Sequence, residues 1–127
     1  LNSSYQQSFS EAKKPKNRER IRKKALDIIS TSEANTLTIP FLCQEVGTSL
    51  STIERVFRSY FGVGPKQYIN IVRLHRLHKA LWLAQPNEHI INIASRFGFW
   101  HMGQLAQDYY KLFNCLPSKT LKTKTNC

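Results

Sequence analysis

Arg55 and Gln107 carry the most directional polar groups on two amphipathic stretches of the chain. A guanidinium presents paired donors that fit O6 and N7 of guanine, and a carboxamide presents a donor and an acceptor that fit N7 and N6 of adenine. Helical periodicity around Arg55 turns Ser51, Thr52, Glu54, Arg55, Arg58 and Ser59 outward and Ile53, Val56, Phe57, Tyr60 and Phe61 inward. Around Gln107 the outward set is His101, Gly103, Gln104, Ala106, Gln107 and Lys111, opposite a stripe of Leu105, Tyr109, Leu112 and Phe113. Glu54 has two readings, an acceptor for cytosine N4 or the partner of Ser51 in a capping box. Ala106 suits a thymine methyl, and Gly103 lets a backbone approach closely. Trp100 reads as core or turn packing.

No other chemistry competes with these faces. No nucleophile, base and orienting group form a constellation, so no enzyme is read and no cofactor is called for. His75 and His78 are three apart, but no carboxylate or thiol completes a metal site; one exposed and one partly packed histidine is the favoured reading. Cys43, Cys115 and Cys127 are odd in number and far apart, which supports neither a disulfide framework nor a zinc knuckle and fits a reducing cytosol. Gly62-Val63-Gly64-Pro65 lacks the Gly-Lys-Ser/Thr ending of a phosphate-binding loop and reads as a turn.

The chain has 127 residues, 41% of them hydrophobic, enough for one domain or two small ones sharing a helix. Its 19 Lys and Arg against 8 Asp and Glu give a net charge of +11, which favours a polyanionic partner. Residues 1–7 are polar with no apolar run after them, so no signal peptide is expected, and no apolar stretch of the given sequence approaches the length of a membrane span. Residues 1–17 read as a polar linker, suggesting a domain upstream, and 123–127 as a tail. A basic helix follows over 18–32, a short one over 38–46 with Thr38 as N-cap and Gly47 as its end, and another over 49–61 capped by Ser49 or Ser51. A long helix over 65–84 starts on Pro65, is apolar around much of its circumference and should be largely buried. Another short helix ends near Gly98, and a turn leads into the helix that carries Gln107.

The two helix pairs repeat. Leu42, Cys43, Val46 and Gly47 match Ile93, Ala94, Phe97 and Gly98 at an offset of 51, while Ile53, Phe57, Phe61 and Pro65 match Leu105, Tyr109, Phe113 and Pro117 at 52. The second copy therefore has one extra residue in its turn. Two helix-turn-helix subdomains follow, over 18–84 and 85–122, the first including a linker helix of about 30 Å. Recognition helices on one face of duplex DNA sit about 34–36 Å apart, so that helix is the right scale for a spacer.

With Ser49, Ile53, Arg55, Phe57, Gly64-Pro65, Tyr68, Arg73-Leu74, Ala80 and Leu81 in the first unit, and Ile93-Ala94, Gly98-Phe99, Leu105, Tyr109, Phe113 and Pro117-Ser118 in the second, the chain resembles the DNA-binding region of AraC/XylS-type bacterial transcription regulators. The resemblance implies an all-α, seven-helix domain joined to a separate sensing or dimerising domain. It also implies transcription activation, duplex DNA as partner, RNA polymerase as a further partner, a monomeric fragment within a protein able to dimerise, and a cytoplasmic, nucleoid-associated setting. Arg58, Lys66, Arg73, Arg76, Lys111, Ser118 and Lys119 are the candidates for phosphate contact. Asn114-Cys115 stands where the family ends its second recognition helix on glycine, and asparagine also adopts the left-handed conformation. Thr120-Leu121 replaces the family's common Tyr-Arg. The competing classes are a basic helical module for a protein partner, and nonspecific binding to RNA or an anionic surface.

Overall fold

The computed structural model describes residues 15–124, with side chains from residue 17 onward. Among the described residues there are seven α-helices and no strand: α1 Pro15–Thr31, α2 Ile39–Val46, α3 Leu50–Phe61, α4 Pro65–Leu83, α5 Ile90–Ser95, α6 Met102–Phe113 and α7 Pro117–Thr123. The all-α, seven-helix expectation holds. Helix α1 starts ahead of the expected Arg18, since a proline suits the first helical turn. The rest of the expected linker, and the tail beyond residue 124, lie outside the described residues. None of the described helices is long and apolar enough to cross a membrane. The chain divides into two compact units between Asn70 and Ile71, inside α4.

The first unit buries Ile21, Ala25 and Ile29 of α1 with Leu42, Val46, Ile53, Val56, Phe57 and Ile69. Phe57 meets Phe61 and Tyr68 edge-on, with ring centroids 5.3 and 5.4 Å away. Thr38 caps α2 by accepting from the Phe41 N–H at 3.2 Å, and Gly47 ends that helix at φ +79°. Ser49, not Ser51, caps α3, accepting from the Thr52 N–H at 3.3 Å. Tyr60 departs from the expected inward set and is exposed. Its hydroxyl donates to Glu19 on α1 at 3.1 Å, and the Arg22 guanidinium lies 5.1 Å from its ring centroid. The Arg22 hydrogen bond holds the Glu19 carboxyl below the usual range. Cys43 is half-buried, and burial, then Glu54, raises its thiol pKa, as befits a packing residue.

The second unit gathers Leu74, Leu77 and Leu81 of α4, Ile93 and Ala94 of α5, Leu105 and Tyr109 of α6, and Phe99, Cys115 and Leu121 in one core. His78 is half-buried and stacks on Phe113 at 4.3 Å, while exposed His75 meets the same ring edge-on, so both expected histidine environments are found. His78 Nδ1 lies 2.7 Å from the Tyr109 hydroxyl, which donates to Thr120 Oγ1 at 2.8 Å. Burial raises the Tyr109 phenol pKa, with the Thr120 hydrogen bond working against it. Asn114 ends α6 in the left-handed conformation, φ 62°, with its N–H on the Tyr110 carbonyl. Lys124 Nζ donates to the carbonyls of Leu81 and Ala84 at 2.7 and 2.6 Å, satisfying the end of α4.

Four expectations change here. Cys115 is disulfide-bonded, although cysteine spacing supported no such framework. Leu112 lies at the edge of its stripe, 38% exposed, and the C-terminal end of α4 is open, with Trp82 and Leu83 exposed. Trp100 is 69% exposed rather than packed.

Candidate nucleic-acid interface

The repeat read from the sequence is a repeat of helix boundaries. Helices α3 and α6 run from Leu50 to Phe61 and from Met102 to Phe113, each N-capped one residue earlier, at Ser49 and His101. Left-handed Gly62 and Asn114 end them, and Pro65 and Pro117 open the helices that follow. Helices α2 and α5 begin at Ile39 and Ile90, and their turns carry left-handed glycines, Gly47 at φ +79° and Gly98 at φ +84°. The extra residue of the second copy therefore lies between glycine and N-cap. Thr48 alone spans that gap in the first unit; Phe99 and Trp100 span it in the second.

On α3, Ser51, Arg55 and Arg58 are exposed as expected. Thr52 is not: it is 2% exposed, and Ser49 Oγ donates to its hydroxyl at 3.1 Å. Position 52 lies four residues before Val56, on the inner side of the helix, and the cap satisfies its hydroxyl there. Thr52 therefore supports the α3 start rather than facing outward. Glu54 does not complete a capping box. It sits half-buried, 3.7 Å from Arg58 Nε, in a space that Gly64 keeps open: a side chain at 64 would come within 3.1 Å of its carboxylate. Lys66, at the start of α4, is exposed.

On the second unit His101, Gly103, Gln104, Gln107 and Lys111 are exposed and Ala106 is half-buried. Gln104 donates to Asp108 at 2.9 Å, which orients its carboxamide along the helix. Ala106 and Ser118 line one shallow apolar groove of about 330 Å³ with Ile90, Ile91, Met102, Leu105, Leu116 and Pro117. Ser118 and Lys119 are exposed on α7. Arg73 is half-buried with its guanidinium against Gly98, and burial, then Arg76, lowers its pKa from the ordinary arginine value. Thr120, where the family commonly has tyrosine, is buried beneath Tyr109.

The caps of the two units differ in strength. His101 makes no side-chain hydrogen bond to the α6 N-terminus, whereas Ser49 caps α3. His101→Ser is expected to stabilise the chain by about 0.5–1 kcal/mol, read as a higher urea midpoint. An unchanged or lower midpoint would show that the extended residue at 101 does not place a hydroxyl over the helix end.

Two glycine-turned helix pairs, each presenting an exposed polar face on its second helix, define a helix-turn-helix DNA-binding domain. Residues 42–123 match a family model described as a helix-turn-helix domain. The chain is 31% identical over 100 residues to the probable thc operon regulatory protein of Rhodococcus erythropolis, covering 78% of this chain and 30% of that protein. It is 31% identical over 84 residues to the transcriptional regulator ExsA of Pseudomonas aeruginosa, 66% of this chain and 30% of the relative. It is 30% identical over 81 residues to the virulence regulon transcriptional activator VirF of Yersinia enterocolitica, 64% of this chain and 29% of the relative. The chain belongs to the AraC/XylS-type helix-turn-helix transcription regulators. The match spans about a third of the length of these relatives.

Proposed function

We propose that this chain is the sequence-specific output domain of a bacterial transcription activator, with α3 and α6 reading neighbouring major-groove segments of one duplex. The observation that carries the reading is that two helices in the same structural frame present unlike polar faces, Ser51, Arg55 and Arg58 against His101, Gly103, Gln104 and Gln107. Duplicated frames with different faces suit an asymmetric site, which charge alone would not require. The net charge of +11 supplies the attraction to phosphate. Relatives named as operon regulators and virulence activators support the activator role; RNA polymerase as a further partner and the cytoplasm as the setting are proposed with that role. Arg58, Lys66, Arg73, Arg76, Lys111, Ser118 and Lys119 are the proposed phosphate contacts.

Selection of binding sites from random duplexes tests the reading. Two unlike half-elements about one helical turn apart are expected, and equal retention of all sequences would exclude it in favour of a nonspecific basic module. Lys66→Ala is expected to weaken binding to every duplex and to reduce the slope of log affinity against log salt by about one. A slope equal to the parent's would remove Lys66 from the phosphate contacts.

A further inference from the structure

We infer that Trp100 is a DNA contact, its indole packing on the apolar deoxyribose face of the backbone beside the half-element read by α6. The inference rests on α6 being a recognition helix.

The inserted turn residue is what creates the feature. In the first unit the single residue between glycine and N-cap, Thr48, is half-buried; in the second, Phe99 takes the core position at 8% exposure and Trp100 projects at 69%. Its surroundings point to nucleic acid. The residue directly precedes the first turn of α6, the end from which recognition helices reach bases. The His101 ring is not used as a cap, and, apart from its chain neighbours and its own helix backbone, no described residue comes within 4 Å of where a Cβ at Gly103 would stand. Among the described residues, nothing fills the space beside Gly103 at the start of α6. A tryptophan contributes a large apolar area with few rotamers to immobilise.

The test uses the full chain with Trp82→Phe, which leaves Trp100 as the one tryptophan of the two in the sequence. It is titrated with a duplex recovered by the random-site selection, and binding is followed independently by the anisotropy of a labelled copy of that duplex. On saturation the Trp100 emission is expected to change and its quenching by acrylamide to fall. Trp100→Ala is expected to weaken binding about tenfold, the effect of burying roughly 60 Å² of apolar surface. The salt slope should stay unchanged, because an apolar contact releases no counterions. If anisotropy reports binding while emission and quenching stay as in the free chain, or if Trp100→Ala binds like the parent, the contact is overturned and the DNA reading stands. If the parent binds no duplex, both fall.

Discussion

Arg55→Ala is expected to lower affinity for the selected duplex by about 1–3 kcal/mol, roughly 5- to 150-fold, with the loss confined to sites carrying one base pair, that proposed to be read by Arg55. The expectation follows from where the side chain is mounted. Arg55 is exposed on a helix whose neighbouring positions, Val56 and Phe57, are wholly buried. Ser49 fixes the start of that helix and left-handed Gly62 fixes its end. A guanidinium on so rigid a support loses little freedom in making a bidentate pair. Competition with duplexes changed one base pair at a time measures the effect. The mutant should stop discriminating in one half-element only, and Gln107→Ala should do the same in the other. If Arg55→Ala instead weakens all duplexes equally and lowers the salt slope by about one, Arg55 is a phosphate contact.

Phe57→Ala is expected to cost about 3–5 kcal/mol of folding stability, read as a large fall in the urea midpoint. Phe57 is 0% exposed and carries the edge-on contacts to Phe61 and Tyr68 that join α3 to the start of α4. Its removal takes away the transfer energy of the ring and leaves a cavity that helices fixed by caps and an opening proline cannot close. Phe61→Ala is the internal comparison. That ring is half-buried, so its loss should cost clearly less. Equal costs at the two positions would mean that the core of the first unit collapses around an empty position 57.

The fold was legible wherever local chemistry and apolar spacing agreed. Thr38, Gly47 and Pro65 stand where capping and proline rules put them, and Asn114 adopts the left-handed conformation expected of it. The duplication was legible because turn glycine, apolar stripe and post-helix proline recur together. Polar side chains were harder to place, since residue type argues for exposure and only packing shows otherwise. Thr52 shares the inner side with Val56, yet its hydroxyl marked it as an outward residue until the Ser49 contact appeared. Thr120 sits under Tyr109 for the same kind of reason. Apolar side chains failed in the opposite sense. Tyr60 has the spacing of a core residue but serves the surface of α1, and Trp100 follows an insertion whose direction no periodicity encodes. Of the candidate interface, the exposed faces were readable; the pairing of Glu54 with Arg58 and the seating of Arg73 against Gly98 depend on contacts between segments that the sequence separates.

Half-buried His78 and buried Tyr109, Thr120 and Cys115 form one line of polar contacts, whose hydrogens run from His78 toward the sulfur. The Cys115 sulfur, 3.5 Å from Thr120 Oγ1, is disulfide-bonded and has no hydrogen to give. The Thr120 hydroxyl therefore donates to sulfur and accepts from Tyr109. The Tyr109 oxygen, having spent its one hydrogen, accepts from His78 Nδ1 at 2.7 Å. With Tyr109 donating to Thr120, a neutral His78 is expected as the Nδ1–H tautomer, which nitrogen chemical shifts check: a protonated Nε2 instead would mean that Tyr109 donates to His78.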